Sequence, residues 1–226
     1  MDARYWQRFY EIQSKQRTVH ESLQSSVMKH RQTEFQSPIS SQQQRLYAEV
    51  MHEIKQPVIL DCGCGTGMST AILAERNPDC VVIGIDQSFA RLSRHPAVTL
   101  HKEKPVVRDR NKILVQADLV SWWLMASSER QRIKKAYFLY PNPWPKPKHF
   151  KRRWQGHPIW PLICELADEI EMRTNWLIYA QEWQAALAVC ARDSQLRDYD
   201  GEPETRFETK YQQVGVDCYQ VVTSQS

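Results

Sequence analysis

Residues 57–67 read PVILDCGCGTG, and this stretch decides the fold. A short apolar run leads to Asp61, and Gly63, Gly65 and Gly67 follow, in a chain that has only seven glycines among 226 residues. Glycine is needed where the backbone takes a positive φ or where a ligand approaches closely. The clustering of so scarce a residue predicts a strand–turn–helix unit with a ligand packed on its backbone.

The glycine spacing distinguishes between two kinds of nucleotide-binding turn. A dinucleotide turn follows G-x-G-x-x-G, which would require a glycine at Met68, so that pattern fails. The G-x-G-x-G spacing after Asp61 resembles motif I of class I methyltransferases. The resemblance implies that Gly63, Gly65 and Gly67 cradle S-adenosylmethionine, with a nearby carboxylate pairing with its ammonium group.

Two more carboxylates follow apolar runs. Residues 80–86 read CVVIGID and end in Asp86, and residues 113–115 lead to Asp118. Such runs are typical of strands buried on both faces of a parallel sheet. Because ligands of open α/β sheets bind at the carboxyl ends of strands, Asp61, Asp86 and Asp118 are predicted cofactor contacts. Asp86 suits the ribose hydroxyls, and Asp118 suits the adenine edge.

The remaining pattern alternates strands and helices. Helices are expected over 42–54 (capped by Ser40 or Ser41), 68–76, 159–172 and 182–191, and strands over 136–140 and 176–180, with a late strand or hairpin over 211–222. Alternation predicts an α/β, Rossmann-like, doubly wound sheet. We expect seven mostly parallel strands, helices on both faces and a C-terminal antiparallel hairpin. The predicted domains are a polar, Gln-rich arm over 1–45 and a methyltransferase domain over 46–226.

A proline-rich basic segment follows the fourth buried strand. Residues 140–153 read YPNPWPKPKHFKRR, with five Lys or Arg residues and no Asp or Glu. The prolines stiffen the loop, Trp144 offers a face for stacking a base, and the cations suit an RNA backbone. A solvated basic loop without a ligand is the simpler alternative for the charge alone.

This segment resembles the D-P-W-P-K-K-R-H-H-K-R-R signature of bacterial tRNA (guanine-N7)-methyltransferases. Residues 179–183 (YAQEW) resemble the family's A-T-D segment, and residues 205–208 (TRFE) resemble its T-K-F-E motif. The resemblance extends in order from about residue 57 to 222. It implies methyl transfer from S-adenosylmethionine to N7 of a tRNA guanine, guanosine 46 of the variable loop being the expected position.

The resemblance also implies roles for individual residues. Asn142 falls on the family's catalytic acidic position and is expected near the cofactor, and Glu182 is the second expected catalytic residue. Expected substrate contacts comprise basic-loop residues and the later motifs: Lys146, Lys148, His149, Lys151, Arg152, Arg153, Glu182, Thr205, Arg206, Phe207 and Glu208.

Several of these positions depart from the family pattern. Asn142 replaces an Asp, Lys148 an Arg, Phe150 a His, Gln181 a Thr and Glu182 an Asp. One hypothesis is that Asn142 orients the base by accepting from guanine N1–H or N2–H, while Glu182 or Glu208 supplies negative charge. Asn-Pro-Pro-aromatic motifs occur in methyltransferases that act on amino groups. The tripeptide that starts at Asn142 is similar, so an exocyclic amine of a base is the alternative methylation target.

Other function classes find less support. No apolar run approaches membrane-spanning length and residues 1–6 carry no apolar signal region, so a cytoplasmic protein is expected. The six scattered cysteines predict reduced, mostly buried thiols, and no histidine pattern indicates a metal site. Two alternative functions remain compatible with the sequence. One is a binding protein that has lost methyltransferase activity, and the other is a methyltransferase that acts on proteins or small molecules. Monomer and homodimer are both compatible with the sequence.

Overall fold

The computed structural model describes residues 10–94 and 105–224. The strands, numbered in chain order as β1 to β8, are Val58–Cys62, Val81–Asp86, Val106–Asp109, Lys112–Gln116, Ile133–Leu139, Ala167–Thr174, Ser194–Asp198 and Tyr219–Thr223. The helices, numbered likewise as α1 to α8, are Leu23–Arg31, Ser41–Met51, Met68–Arg76, Phe89–Leu92, Leu119–Ser128, Trp160–Leu166, Leu177–Val189 and Arg206–Val214. Two 3₁₀ segments cover Pro147–Arg152 and Trp154–Gly156.

The strands form one eight-stranded sheet in the order β3-β4-β2-β1-β5-β6-β8-β7. Strand β1 pairs in parallel with both β2 and β5, and β2 pairs in parallel with β4. The pairs β3–β4, β6–β8 and β7–β8 are antiparallel. The expected α/β fold with a late antiparallel pair is confirmed. The sheet has one strand more than expected, because β3 adds an antiparallel edge to β4.

The chain divides into two units, whose boundaries fall after Phe35, within β5, within α6 and within β6. One unit contains residues 36–137 and 165–168. Every residue of β1 and β2 is buried there, as expected for strands covered on both faces. Helix α2 begins at the predicted cap, since the Ser40 side chain accepts from Gln43 N, and Trp122 packs against Tyr47 with ring centroids 4.8 Å apart.

The other unit contains the described residues of 1–35, 138–164 and 169–226. Its core is aromatic: Trp160 and Trp183 are fully buried with centroids 4.7 Å apart, and Phe138 lies 5.0 Å from Trp183. Part of the expected N-terminal arm belongs to this unit as helix α1, in which Leu23 and Val27 are buried. Residues 1–9 of that arm lie outside the described residues.

Three predicted elements are wrong. The helix expected over 159–172 ends at Leu166, and β6 takes the remainder. The strand expected over 176–180 is the first turn of α7. The late strand expected over 211–222 begins only at Tyr219, because α8 continues to Val214 and ends at Gly215, whose φ is +68°.

Candidate functional site

The glycine turn after β1 has the conformation that its sequence predicts. Gly63, Gly65 and Gly67 have φ values of +82°, +61° and +76°, a region that L-residues with a Cβ avoid. The amides of Gly63 and Cys64 donate to Ile85 O at 2.8 and 3.1 Å, which ties the turn to the end of β2. A Cβ added at Gly63 or Gly65 would meet no atom within 4 Å, so open space lies over both positions.

Two of the predicted carboxylates hold this turn in place. Asp86 Oδ2 accepts from Gly65 N at 3.0 Å, and its Oδ1 accepts from Ser88 N at 2.8 Å. Asp61 Oδ2 accepts from the hydroxyls of Ser69 and Thr70 at 2.6 and 2.7 Å. Both carboxylates are almost completely buried. Backbone and hydroxyl donors thus orient two negative charges beside the open glycines.

The third predicted carboxylate begins α5. Asp118 Oδ2 accepts from Ser121 N at 2.7 Å, and Asp118 N donates to Gln43 Oε1 at 3.1 Å. The side chain is partly exposed. The cap and the Gln43 contact fix this strand end. These features together fit a nucleoside that carries an amino acid: glycines with open space above them, a carboxylate at the end of β2, and the helix-capping Asp118 after β4.

The thiols that flank Gly63 are buried and do not form a reactive pair. Burial, followed by the charge of Asp61, raises the pKa of both Cys62 and Cys64 well above the ordinary thiol value. All six cysteines are free, and five are buried, as the sequence predicts for most of them. Within the described ranges, no cluster of three or more His, Cys, Asp or Glu side chains could hold a metal ion.

The proline-rich segment after β5 is an ordered loop with a strained start. Tyr140 and Trp144 have φ values of +54° and +44°, unusual for aromatic residues. Asn142 is exposed, and its Oδ1 accepts from Trp144 N at 3.1 Å, which closes a local turn. The predicted catalytic position therefore helps to shape the loop while it remains accessible.

Trp144 lies between cationic or titratable side chains of the same loop. The Arg152 guanidinium is 4.8 Å from the Trp144 ring centroid, and His149 meets the ring edge-on at 5.7 Å. Lys146, Lys148, Lys151 and Arg152 are all exposed. Desolvation and the neighbouring cations, led by Arg152 and Lys148, lower the pKa of His149. The loop thus presents a partly exposed indole and a row of positive charges.

Arg153 and Glu182 do not belong to the exposed part of the site. Both side chains are fully buried, and Arg153 Nη1 lies 2.6 Å from Glu182 Oε2. Glu182 also accepts from Gln155 Nε2 at 2.7 Å, Gln16 Nε2 at 2.6 Å and His20 N at 3.0 Å. Four donors use the acceptor sites of this carboxylate. Glu182, expected to act in catalysis, and Arg153, expected to touch RNA, bind each other instead of facing solvent.

The TRFE segment begins α8 with a capping box. Thr205 Oγ1 accepts from Glu208 N at 3.1 Å, and Glu208 Oε2 accepts from Thr205 N at 3.0 Å. Glu208 is fully buried and its Oε1 is 3.0 Å from Arg173 Nη1. Arg206 and Phe207 are exposed, and Phe207 stacks on Tyr140 with centroids 6.1 Å apart. The middle two residues of the motif are exposed, Thr205 is partly exposed and Glu208 is buried.

Sequence reasoning missed the partners of these buried acids. Burial alone would lower the pKa of Arg173, but the carboxylates of Glu171, Glu204 and Glu208 outweigh that effect and raise it. The sequence predicts only a polar arm around Gln16, yet this residue is 9% exposed and bonded to both Arg153 and Glu182. No local signal marks these residues, because their polar composition is that of a solvated surface.

The fold and the glycine turn define a class I methyltransferase, and comparison with solved structures agrees. An antibiotic-related methyltransferase gives a TM-score of 0.53 at 17% identity, covering 85% of this chain and 97% of that chain. The 16S rRNA methyltransferase KamB gives 0.52 at 16% identity, covering 93% and 99%. At these identities the likeness establishes the fold alone.

Sequence comparison supplies the family. The model of the family described as "Putative methyltransferase" matches residues 55–221, so the chain belongs to that family. It is an S-adenosylmethionine-dependent methyltransferase. Within the ranges that the structure describes, no helix is long and apolar enough to cross a membrane.

Curated relatives support the resemblance noted in the motifs. A tRNA (guanine-N(7)-)-methyltransferase of Listeria innocua is 27% identical over 175 residues, covering 73% of this chain and 78% of that protein. One from Clostridium beijerinckii is 36% identical over 101 residues, covering 43% and 45%. One from Treponema pallidum is 28% identical over 135 residues, covering 58% and 52%. These modest identities make the chain a divergent relative.

Proposed function

We propose that this chain methylates N7 of a guanine in tRNA, with guanosine 46 of the variable loop as the target nucleotide. The observation that carries the proposal is the loop after β5, where Trp144 lies against Arg152 among exposed Lys146, Lys148 and Lys151. An aromatic face and a cationic row are the two elements by which proteins hold unpaired bases and their phosphates. The names of the curated relatives agree with this substrate.

We assign cofactor binding to the glycine turn and the acids beside it. Gly63, Gly65 and Gly67 provide the backbone cradle, Asp61 the charge for the ammonium group, Asp86 the ribose contact and Asp118 the adenine edge. Bound S-adenosylmethionine supplies an electrophilic methyl group on a positively charged sulfur. The support lies in the open space over Gly63 and Gly65 and in the fixed orientation of Asp61 and Asp86.

Guanine N7 needs little chemical help from the protein. It carries an in-plane lone pair, which forms the new carbon–nitrogen bond while the carbon–sulfur electrons return to sulfur. No proton leaves, so positioning and electrostatics carry the rate. We assign the base-orienting role to Asn142, which is exposed and held by its bond to Trp144 N. Its second oxygen lone pair is suited to guanine N1–H or N2–H.

For Glu182 and Glu208 we propose positioning roles. Each carboxylate is fully buried and paired with an arginine, Glu182 with Arg153 and Glu208 with Arg173. Because the arginine neutralises the carboxylate, the negative charge is not available to stabilise the positive charge that develops on the purine in the transition state. Glu182 holds Arg153, whose Nη2 in turn donates to Trp144 O at 3.0 Å, and this bond supports the backbone of the stacking residue.

An exocyclic amine is the second candidate target, favoured by the accessible Asn142-Pro143-Trp144 tripeptide. One experiment separates the candidates. The protein is incubated with methyl-labelled S-adenosylmethionine and tRNA from cells that lack N7-methylguanosine, and the tRNA is digested to nucleosides. Labelled N7-methylguanosine is expected, and it should disappear with tRNA transcripts in which guanosine 46 is replaced.

The other outcomes are equally informative. Label in an N2-methylguanosine or N6-methyladenosine peak would transfer the proposal to the exocyclic amine. Cofactor binding by calorimetry without label in any nucleoside would overturn the enzymatic proposal and favour a binding protein. Label in protein or small molecules would favour a different substrate class.

A further inference from the structure

The N-terminal segment Ser14–His20 is anchored to the basic loop at both of its ends. Ser14 Oγ donates to Pro145 O at 2.5 Å. At the other end, His20 stacks on Phe150 with centroids 4.4 Å apart and an interplanar angle of 13°. His20 N also donates to Glu182 Oε1 at 3.0 Å. The segment therefore follows the loop over several residues.

Gln16 is the central anchor of this segment. Its Nε2 donates to Thr18 O at 2.8 Å and to Glu182 Oε1 at 2.6 Å, while its Oε1 accepts from Arg153 Nη2 at 3.0 Å. Both amide donors and the amide oxygen have partners inside the protein. A buried amide satisfied in this way fixes its backbone, because no solvent can replace the lost bonds.

The residues on either side of Gln16 face the opposite way. Lys15 and Arg17 are exposed, whereas Gln16 is buried. Glu11 is the one acidic residue of the sequence between positions 10 and 20, and residues 141–157 contain none. The anchored segment therefore carries two exposed cations, and the loop to which it is bonded carries four more: Lys146, Lys148, Lys151 and Arg152.

His30 of α1 lies near cations of both α1 and the basic loop. Desolvation and the charges of Lys29 and Lys151 lower the pKa of His30, although a hydrogen bond with the backbone of Gly156 opposes them. Lys29 belongs to α1 and Lys151 to the basic loop, so cations of the N-terminal region and of the loop act on the same group.

We propose that Ser14–His20 is part of the RNA-binding surface, in which Gln16 is a positioning residue and Lys15 and Arg17 bind phosphates of the RNA backbone. The inference rests on the proposed function, since its ligand is the tRNA substrate. It gives the polar N-terminal segment a defined role, in which the loop and the segment present one continuous row of cations.

The test measures the affinity of the full chain for tRNA by fluorescence anisotropy at several salt concentrations. Each phosphate contact contributes about one unit to the slope of log K against log salt. The Lys15→Gln/Arg17→Gln variant should therefore lose about two units of slope and bind more weakly. The matched control, Arg45→Gln/Lys55→Gln, makes the same charge change at exposed positions elsewhere in the chain and should keep the slope.

A second variant tests the anchor without altering charge. Gln16→Met keeps the side-chain length but loses all three hydrogen bonds, so we expect a raised KM for tRNA with little change in kcat. Gln13→Met is the control, because Gln13 is exposed. A merely structural role would instead change thermal stability while KM and kcat stay at wild-type values.

The outcomes distinguish this inference from the function on which it rests. A wild-type protein that neither binds nor methylates tRNA would overturn both. A wild-type protein that does both, with the Lys15→Gln/Arg17→Gln variant retaining its full salt slope, would overturn the inference alone.

Discussion

Nη1 of Arg153 lies 2.6 Å from Oε2 of Glu182, and neither side chain is exposed to solvent. The pair joins the basic loop to α7, and Gln16 and Gln155 complete its hydrogen bonding. Burying two charges is expensive, so such a pair is stable only when the remaining donors and acceptors are satisfied. Here the network connects the N-terminal segment, the loop and α7 within one unit.

Breaking this pair from one side should be strongly destabilising. Arg153→Met leaves the Glu182 carboxylate buried without its cation, and we expect a loss of about 3–5 kcal/mol in the free energy of unfolding. Urea unfolding measures it, with the exposed neighbour Arg152→Met as control, expected within about 0.5 kcal/mol of wild type. The double variant Arg153→Met/Glu182→Leu should recover part of the loss. An Arg153→Met variant as stable as Arg152→Met would contradict the structural role of the pair.

Gly65→Ala should weaken both cofactor binding and the fold. The added Cβ meets no protein atom but enters the open space over the turn, at a φ of +61°. We expect the Kd for S-adenosylmethionine to rise by roughly tenfold or more, and the stability to fall by about 1–2 kcal/mol from backbone strain. Calorimetry measures the first and urea unfolding the second.

Gly215→Ala is the matched control for that substitution. Gly215 ends α8 with a φ of +68°, and a Cβ there also meets nothing within 4 Å. It should lose a similar amount of stability while its affinity for S-adenosylmethionine stays unchanged. Equal affinities of the two variants would rule out cofactor binding at the glycine turn.

Methyl transfer should persist when Asn142 is replaced by aspartate and should fall when it is replaced by alanine. Asn142→Asp keeps an oxygen for Trp144 N and adds negative charge where the purine becomes positive, so methyl transfer to tRNA should match or exceed wild type. Asn142→Ala loses the local turn and the base acceptor, and its single-turnover rate constant for methyl transfer should fall between roughly ten- and a hundredfold. Single-turnover transfer assays measure both, and full activity of Asn142→Ala would remove this residue from the mechanism.

Tyr199 should make the protein sensitive to alkali. Its hydroxyl accepts from Arg173 Nη1 at 2.7 Å and donates to Glu202 O at 2.9 Å. Burial raises the pKa of Tyr199 from 10 to about 12, although Arg173 opposes the rise. The unfolded chain releases this proton first, so the contribution to stability is present below about pH 10 and is lost as the pH rises towards 12.

The measurement is urea unfolding at pH 9 and pH 11. Tyr199→Phe loses both hydrogen bonds and is less stable at pH 9, but its stability should decline less between the two pH values. A decline equal to that of the wild type would show that Tyr199 does not contribute to the alkaline transition.

The sequence predicted those elements whose cause is local. Helix α3 begins and ends where expected, because the preceding turn contains three glycines and the residues after it form a helix with an apolar face. The sequence failed over 167–172, where the amphipathic pattern that starts at residue 159 predicts a helix and the folded chain forms β6. In the folded chain, Glu171 and Arg173 are buried in β6, with Arg173 Nη2 2.6 Å from Glu171 Oε1. The apolar run 176–180 was equally ambiguous, because short buried helices and strands share that composition.

The residues of the candidate site divide in the same way. The glycine turn, Asp61 and Asp86 follow from backbone requirements and strand ends, which neighbouring residues in the chain already specify. Neighbouring residues do not specify which cations of the basic loop are exposed or that Arg153 is buried. The burial of Arg153 depends on Glu182 and Gln16, which come from distant parts of the chain. Residue order alone determined the α/β fold and its cofactor turn, where conformation depends on adjacent residues. Tertiary structure decided which polar groups are buried as pairs, since charge pairing needs partners that only folding brings together.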